Sequence, residues 1–368
     1  MAIRSIKLEN WRNLTDDEIS LSAPRVFLIG ENGQGKTNLL EAVYYISYGS
    51  SFRGLVDSEI SKKSSLGFSA RGLVGTIGDD HAKCSAIDIS WKSKIKEIKL
   101  NGRALRDRKE LVEVNPAIVF CHEDFSFASG EPERRRFFFD QTAGLISLGY
   151  IDILRDYRKI LSQRNMCLRE GRVEILDVLD LQLAAKGIEL MTERTALTNA
   201  FASGFSTIFE EVSLLGSEVS LVYRPHWKDY GEQGIVGIAR VLALKRREEM
   251  AMKTSISGPH RDRWLFVSEG KEFTSTASTG QLRLLSLILR SSQARYYQKR
   301  TGIDPLLLVD DVMLELDPEK KQRFFSTLPA ESQAIFTFLP GEDWRAYRNA
   351  SALVYGVRDG RFTNQISS

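Results

Sequence analysis

The chain has few residues of the kinds that build a metal site on their own. Its 368 residues include three cysteines, Cys84, Cys121 and Cys167, far apart and without C-x-x-C spacing. Its four histidines, His81, His122, His226 and His260, show no paired spacing. A zinc-finger-like site and a disulfide scaffold are therefore excluded, and the thiols suit a reducing compartment. No apolar run approaches the length of a membrane span. The opening MAIRSIKLENW is too polar for a secretory leader, so a cytoplasmic protein is expected. Neither sign of charge dominates: 51 Lys and Arg stand against 48 Asp and Glu, leaving +3. Any nucleic-acid contact must then come from local patches. Repeats and low-complexity tracts are also missing.

What is there begins at Val26–Ile29, a short apolar run that reads as a buried strand. Gly30-Glu31-Asn32-Gly33-Gln34-Gly35-Lys36-Thr37 follows and fits G-x-x-x-x-G-K-[ST] without a gap. The glycines let the backbone curl so that successive N–H groups face phosphate oxygens. A helix starting near Lys36 adds the positive end of its dipole. Lys36 is placed to reach the β- and γ-phosphates, and the Thr37 hydroxyl to ligate Mg²⁺. Leu39, Val43 and Ile46 repeat at helical spacing as that helix's core face.

A P-loop also needs an acidic residue at the end of a second buried strand. PLLLVDD, residues 305–311, supplies Asp310 for the metal and Asp311 to orient or deprotonate water. These halves stand far apart in sequence, so the core must be split. Between them, 131–216 reads as helical over many turns, and 235–252 is again helical and basic. The expected fold is α/β: a P-loop ATPase core with an inserted, mainly helical arm. Its expected parts are 1–130, 131–253 and 254–368. Further strands are expected at 3–8, within 66–91, at 94–100 before the hairpin signal Asn101-Gly102, and at 117–120, 220–225 and the end of the chain.

Just before the acidic strand, Ser278, Gly280 and Gln281 open another helix. This pattern is an ordinary helix cap or a second phosphate site. One chain with one P-loop does not need two such sites. The economical reading is that Ser278 and Gly280 act on nucleotide held by a partner chain, with Glu315-Leu316-Asp317 near the crossing point.

This order of parts is that of ATP-binding-cassette heads of the SMC type. Within them the chain resembles the RecF family of bacterial recombination mediators over nearly its full length. The residues that carry the resemblance are LENWRN, GENGQGKTNLLEAVYYIS, SSFRG, EPERRRFFFD, YRKILSQRN, SGPHRDR, STGQ and LLLVDDVMLELD. It implies an ATP- and Mg²⁺-dependent homodimer that binds double-stranded and gapped DNA and works with RecR and RecO to load RecA. It also implies Arg12, Asn13, Asn32 and Asn38 as further nucleotide contacts. FCHEDF departs from the family pattern at His122, beside the γ-phosphate sensor position Glu123. GPHRDR ends in Arg263 where a second aspartate is usual. FTFLP has no histidine, and Thr337 holds the switch position. Asp311 is one methylene shorter than glutamate, so slow hydrolysis is expected.

Candidate DNA contacts are Arg53, Lys94, Lys96, Arg134 and Arg135, with further basic residues at 92, 99, 136 and 245–247. Any one cluster could equally be a solvated face. Phe137, Phe138 and Phe139 read as core and not as a base-stacking platform. Two other classes compete. A transporter cassette ATPase would carry an LSGGQ-type signature and a smaller insertion. A nuclease of the same superfamily, or a coiled-coil chromosome protein, would need a second carboxylate cluster or a far longer insertion.

Overall fold

A computed structural model describes residues 2–63, 65–77, 83–214, 216, 218–312, 316–348 and 351–364. They fall into two compact units: 1–124 with 293–368, and 125–292.

The first unit opens with strands β1 (Ala2–Glu9), β2 (Glu18–Ser20) and β3 (Arg25–Ile29), then helices α1 (Lys36–Tyr48) and α2 (Asp57–Ile60). β4 (Gly67–Gly75), β5 (Ser85–Lys92), β6 (Ile95–Leu100) and β7 (Arg103–Ala104) follow, then α3 (Lys109–Val114) and β8 (Ala117–Phe120). The second unit contains α4 (Phe125–Ser129), α5 (Pro132–Ile146), α6 (Leu148–Glu170), α7 (Leu176–Ser213), β9 (Ser220–Arg224) and α8 (Tyr230–Met252). It continues with β10 (Arg263–Ser268), β11 (Lys271–Glu272) and the start of α9 (Thr279–Thr301). The chain then completes the first unit with β12 (Leu306–Val309), α10 (Pro318–Thr327), β13 (Ala334–Phe338), β14 (Leu353–Arg358) and β15 (Arg361–Asn364).

Two six-stranded sheets organise the first unit, ordered β2-β1-β4-β5-β6-β7 and β15-β14-β3-β13-β12-β8. The second is parallel except for β15. Parallel strands are covered on both faces and read as continuous apolar runs. LLLV of β12 and AIVF of β8 are buried at every position. Helix α1 shares one apolar core with strands of both sheets. That is why it is apolar nearly all round, with Leu39, Leu40, Val43, Tyr45 and Ile46 fully buried. Asn101 and Gly102 both take positive φ and turn β6 into β7, as their identities predict.

In the second unit, α7 runs unbroken for 38 residues and packs against α6 and α8. The sheet β11-β10-β9 belongs to this unit. The expected boundaries at 130 and 253 therefore differ from the structural ones, which fall at 124 and 292. β10 pairs with β9 from Arg263↔Arg224 to Val267↔Ser220, and this pairing holds 254–292 with the helices. Phe138, Phe139, Phe201, Phe205 and Trp264 form its aromatic centre, with Phe139 stacked on Trp264 at 4.7 Å. Phe137, by contrast, is half exposed.

Candidate nucleotide site

The site lies at the carboxyl ends of β3, β13 and β12, neighbours in the parallel sheet. Open α/β sheets hold ligands at such ends. The turn after β3 needs glycine for two separate reasons. Gly35 sits at φ +114, and a Cβ there would meet Leu14 Cδ2 at 2.7 Å. A Cβ on Gly30 would meet the Val357 carbonyl oxygen at 2.4 Å. A cavity of about 320 Å³ is lined by Asn32, Gly33, Gly35, Lys36, Thr37 and Asn38 from this segment, and by Arg12, Glu31, Arg53 and Asp311.

Lys36 is buried, and its ammonium donates to the Gly30 carbonyl at 2.5 Å and the Glu31 carbonyl at 3.3 Å. The ammonium is thus held against the carbonyls at the start of the loop. Thr37 Oγ1 donates to Asp310 Oδ1 at 2.9 Å across 273 residues of sequence. This bond joins the two halves that the sequence separated. Thr337, on β13 between them, bridges both aspartates. Its Oγ1 lies 3.3 Å from Asp310 Oδ1 and 2.8 Å from Asp311 Oδ1, and it accepts the Asp311 N–H at 2.8 Å. Asp311 takes φ +50, a left-handed conformation that turns the chain sharply after β12.

Asp310 is enclosed by hydroxyls and another carboxylate, and no cation pairs with it in the ion pairs of the described residues. Burial pushes its pKa up to about 6. The hydroxyls of Thr37 and Thr337 pull it down, and the charges of Asp311 and Glu123 add to the rise. A buried carboxylate beside a threonine hydroxyl is the donor set a hard divalent cation takes, with its remaining positions left for water and phosphate. Among the described residues no group of three or more His, Cys, Asp or Glu gathers as a self-sufficient metal cage. Thr37 and Asp310 therefore fit Mg²⁺ held jointly with a nucleotide. Glu123 lies exposed in the turn His122–Asp124.

Arg12, Asn13, Asn38 and Arg53 meet on one rim. Asn13 Nδ2 donates to the Gly33 carbonyl at 3.2 Å, and Asn38 Nδ2 donates to Asn13 Oδ1 at 2.7 Å. Arg53 Nη1 reaches Asn38 Oδ1 at 3.3 Å. Arg53, expected as a DNA contact, thus lines the cavity beside the P-loop.

The other expected DNA contacts separate. Arg135 is buried and donates to the carbonyls of Phe127, Ala128 and Trp264 and to Glu272 and Thr274. Its guanidinium is a packing group, because reaching DNA would strand several buried carbonyls. Lys96 is likewise committed: it pairs with Asp57 at 2.8 Å, donates to the Gly49 carbonyl at 2.9 Å and lies 5.0 Å from the centre of the Tyr45 ring. Lys94 occupies the β5–β6 turn at φ +69, not a strand face, and is exposed, as is Arg134.

Ser278 and Gln281 cap α9 reciprocally. The Ser278 N–H donates to Gln281 Oε1 at 2.7 Å, and the Gln281 N–H donates to Ser278 Oγ at 3.3 Å. All three of Ser278, Thr279 and Gly280 are exposed. Glu315 lies outside the described residues. Asp317 caps α10 by accepting the Lys320 N–H at 2.9 Å.

Two contributors escaped the sequence reading. The turn between β14 and β15 braces the loop: the Gly360 N–H donates to the Gln34 carbonyl at 2.9 Å, and the Asp359 N–H to Gln34 Oε1 at 2.7 Å. Glu41, fully buried, holds Arg12. Its signal was one charge in an otherwise apolar helix face, four residues after Thr37.

The sequence profile of the RecF/RecN/SMC N terminal domain matches residues 2–358. The DNA replication and repair protein RecF of Treponema pallidum is 41% identical over 95% of this chain and 98% of its own length. That of Moorella thermoacetica is 33% identical over 92% and 90%. A solved structure of the recombination mediator RecF with ATP superposes with a TM-score of 0.88 at 26% identity, covering 99% of this chain and 97% of that one. An SMC head bound to the winged-helix domain of ScpA shares the fold, with a TM-score of 0.58 at 15% identity. On the profile match and the identity to its relatives, the chain belongs to the RecF family, within the ABC/SMC class of ATPase heads.

Proposed function

We propose that this chain is an ATP-operated DNA clamp of recombinational repair and replication restart. The observation that carries the reading is the Thr37–Asp310 hydrogen bond at 2.9 Å, which assembles a P-loop and its acidic strand into one site. Supporting it are the relatives named as repair proteins and the likeness to a solved structure of RecF with ATP from the RecFOR pathway.

In this reading Lys36 and the loop N–H groups bind the phosphates, and Thr37 and Asp310 hold Mg²⁺, which neutralises charge on the phosphates. Asp311 orients water or accepts its proton. Its short side chain makes turnover slow. Ser278, Gly280 and Gln281 complete the site of a second copy, so ATP stabilises a homodimer by mass action. That dimer holds double-stranded or gapped DNA through phosphates, with steep salt dependence. Arg134 and Lys94 remain as exposed contacts, and Arg53 moves to the nucleotide. RecR, RecO and RecA are the expected partners, in the cytoplasm; among the described residues no helix is long and apolar enough to cross a membrane.

Sedimentation and duplex-DNA titration, each with and without ATP, test this on the wild type, Lys36→Ala and Asp311→Asn. ATP should drive a dimer that retains duplex. Asp311→Asn should prolong that state and Lys36→Ala should abolish it. ATP binding followed by neither dimer nor DNA retention would overturn the clamp.

A further inference from the structure

The geometry points to Glu41 as a positioning residue that holds two arginines as one preformed phosphate clamp. The inference rests on the nucleotide reading above. Glu41 stands one helical turn beyond Thr37 on α1 and is completely buried. A buried carboxylate is costly unless paired and hydrogen-bonded, and this one is paired on the side of the cavity. Arg12 grips it two-pronged, Nε to Oε2 at 2.5 Å and Nη2 to Oε1 at 3.1 Å. Arg53 Nη1 lies 4.0 Å from the same Oε2. Both arginines line the phosphate cavity.

The third partner is what makes this a clamp and not a simple ion pair. Ser51 Oγ donates to Glu41 Oε1 and accepts the Arg53 N–H at 3.0 Å. One carboxylate therefore fixes the Arg12 side chain directly, and the Arg53 backbone through one hydroxyl. Arg12 itself sits at φ +46, with its N–H donating to the Ile60 carbonyl at 2.9 Å. Arg12 is thus held at both its backbone and its guanidinium. A long cation ordered before the ligand arrives loses less entropy on binding it.

This assignment opposes simple electrostatics. Deleting a negative charge beside an anion site should, by Coulomb's law, tighten ATP binding. If Glu41 instead positions the arginines, Glu41→Gln should weaken ATP binding about tenfold, since misplaced contacts lose their geometry. The loss should shrink from ATP through ADP and vanish for adenosine, because the clamp acts on phosphates. Arg53→Ala should weaken ATP binding in the wild type and add nothing in Glu41→Gln.

Titration calorimetry with ATP, ADP and adenosine reads all of this. Equal or tighter ATP binding by Glu41→Gln would overturn the assignment, as would an equal loss for adenosine. Should Glu41→Gln fail to fold, Ser51→Ala takes its place. It should weaken ATP about threefold with an unchanged melting temperature, and no change in ATP affinity would overturn the assignment. Lys36→Ala, run in parallel, separates the two readings. If it binds ATP like the wild type, the nucleotide site itself is misassigned. If it loses ATP while Glu41→Gln and Ser51→Ala do not, only the clamp fails.

Discussion

Both units bury charge, and the Arg164 and Arg194 networks of one treat it in the opposite way to the Asp310 site of the other. In the 125–292 unit, Arg164 is fully enclosed and meets Asp180 and Glu249, each at 2.6 Å, and Ser255 at 2.7 Å. Arg194 meets Asp140 at 2.8 Å and Asp262 at 2.7 Å, and Tyr150 and Tyr223 donate to those same two carboxylates. Every group there finds an opposite charge or a hydroxyl. Asp310 of the first unit has two threonine hydroxyls and a neighbouring carboxylate. The closed networks fix how helices and strands pack. The open one is the site that, in the proposed function, Mg²⁺ and nucleotide complete.

The sharpest way to break the comparison is to open a closed network. Arg164→Leu leaves Asp180 and Glu249 buried without their shared cation, although Arg246 still reaches Asp180 at 2.5 Å. Breaking a buried pair from one side costs about 3–5 kcal/mol. Calorimetry should show the variant melting far below the wild type, and protease should cut first within 125–292. A variant with wild-type stability would mean the network contributes geometry alone.

Removing charge from the open site should do the reverse. Asp310 has its pKa raised from 3.8 to about 6. The native state therefore binds more protons than the unfolded chain in this window, and stability falls as pH rises from about 4 to 6. At pH 7.5 the ionised group costs the nucleotide-free protein up to about 3 kcal/mol. Asp310→Asn should raise the melting temperature without nucleotide and lose the Mg²⁺-dependent part of ATP binding. His260 gives the opposite slope in the other unit. Burial lowers its pKa to about 4, helped by Arg261, His226 and Arg136 and opposed by its bond to the Ser255 carbonyl. The unfolded chain now binds the extra proton, so stability is full above about 6.5 and is lost as pH falls through 4. His260→Gln should flatten this acid limb by up to about 3 kcal/mol, in melts from pH 4 to 7.5. Parallel slopes for the two variants would erase the distinction between the units.

How much of this was readable in the sequence follows the same division. The nucleotide site is built from short runs whose chemistry is local: glycines at strained φ, an apolar LLLV ending in Asp-Asp, an Asn-Gly turn. These were legible, and so was the need to join residues 36 and 310. What was not legible depends on which face of an element meets what. Arg135 reads as one cation among three, yet it is buried among five acceptors, while Arg134 beside it faces solvent. Lys96 reads as one of several candidate DNA contacts until α2 supplies Asp57. The boundary at 292 follows from β10 pairing with β9, a contact between segments with no motif of their own. Glu41 was visible as an odd charge in an apolar helix, but its partners lie on two other segments.

The smallest expected stability effect tests the site that sequence alone left with two readings. Ser278 caps α9 in the single chain, and the proposed function needs the same hydroxyl for a partner's γ-phosphate. Ser278→Ala removes the cap and should cost about 1 kcal/mol. Ser278→Asp keeps a good cap, because a carboxylate at a helix N-terminus accepts the same N–H and favours the dipole. The two readings then part. If Ser278 is a cap alone, Ser278→Asp should melt like the wild type and dimerise with ATP like the wild type. If it meets phosphate in trans, Ser278→Asp should keep the melting temperature yet lose the ATP-driven dimer in sedimentation. There its carboxylate would face the phosphate, and like charges at contact distance repel where hydroxyl and phosphate attracted.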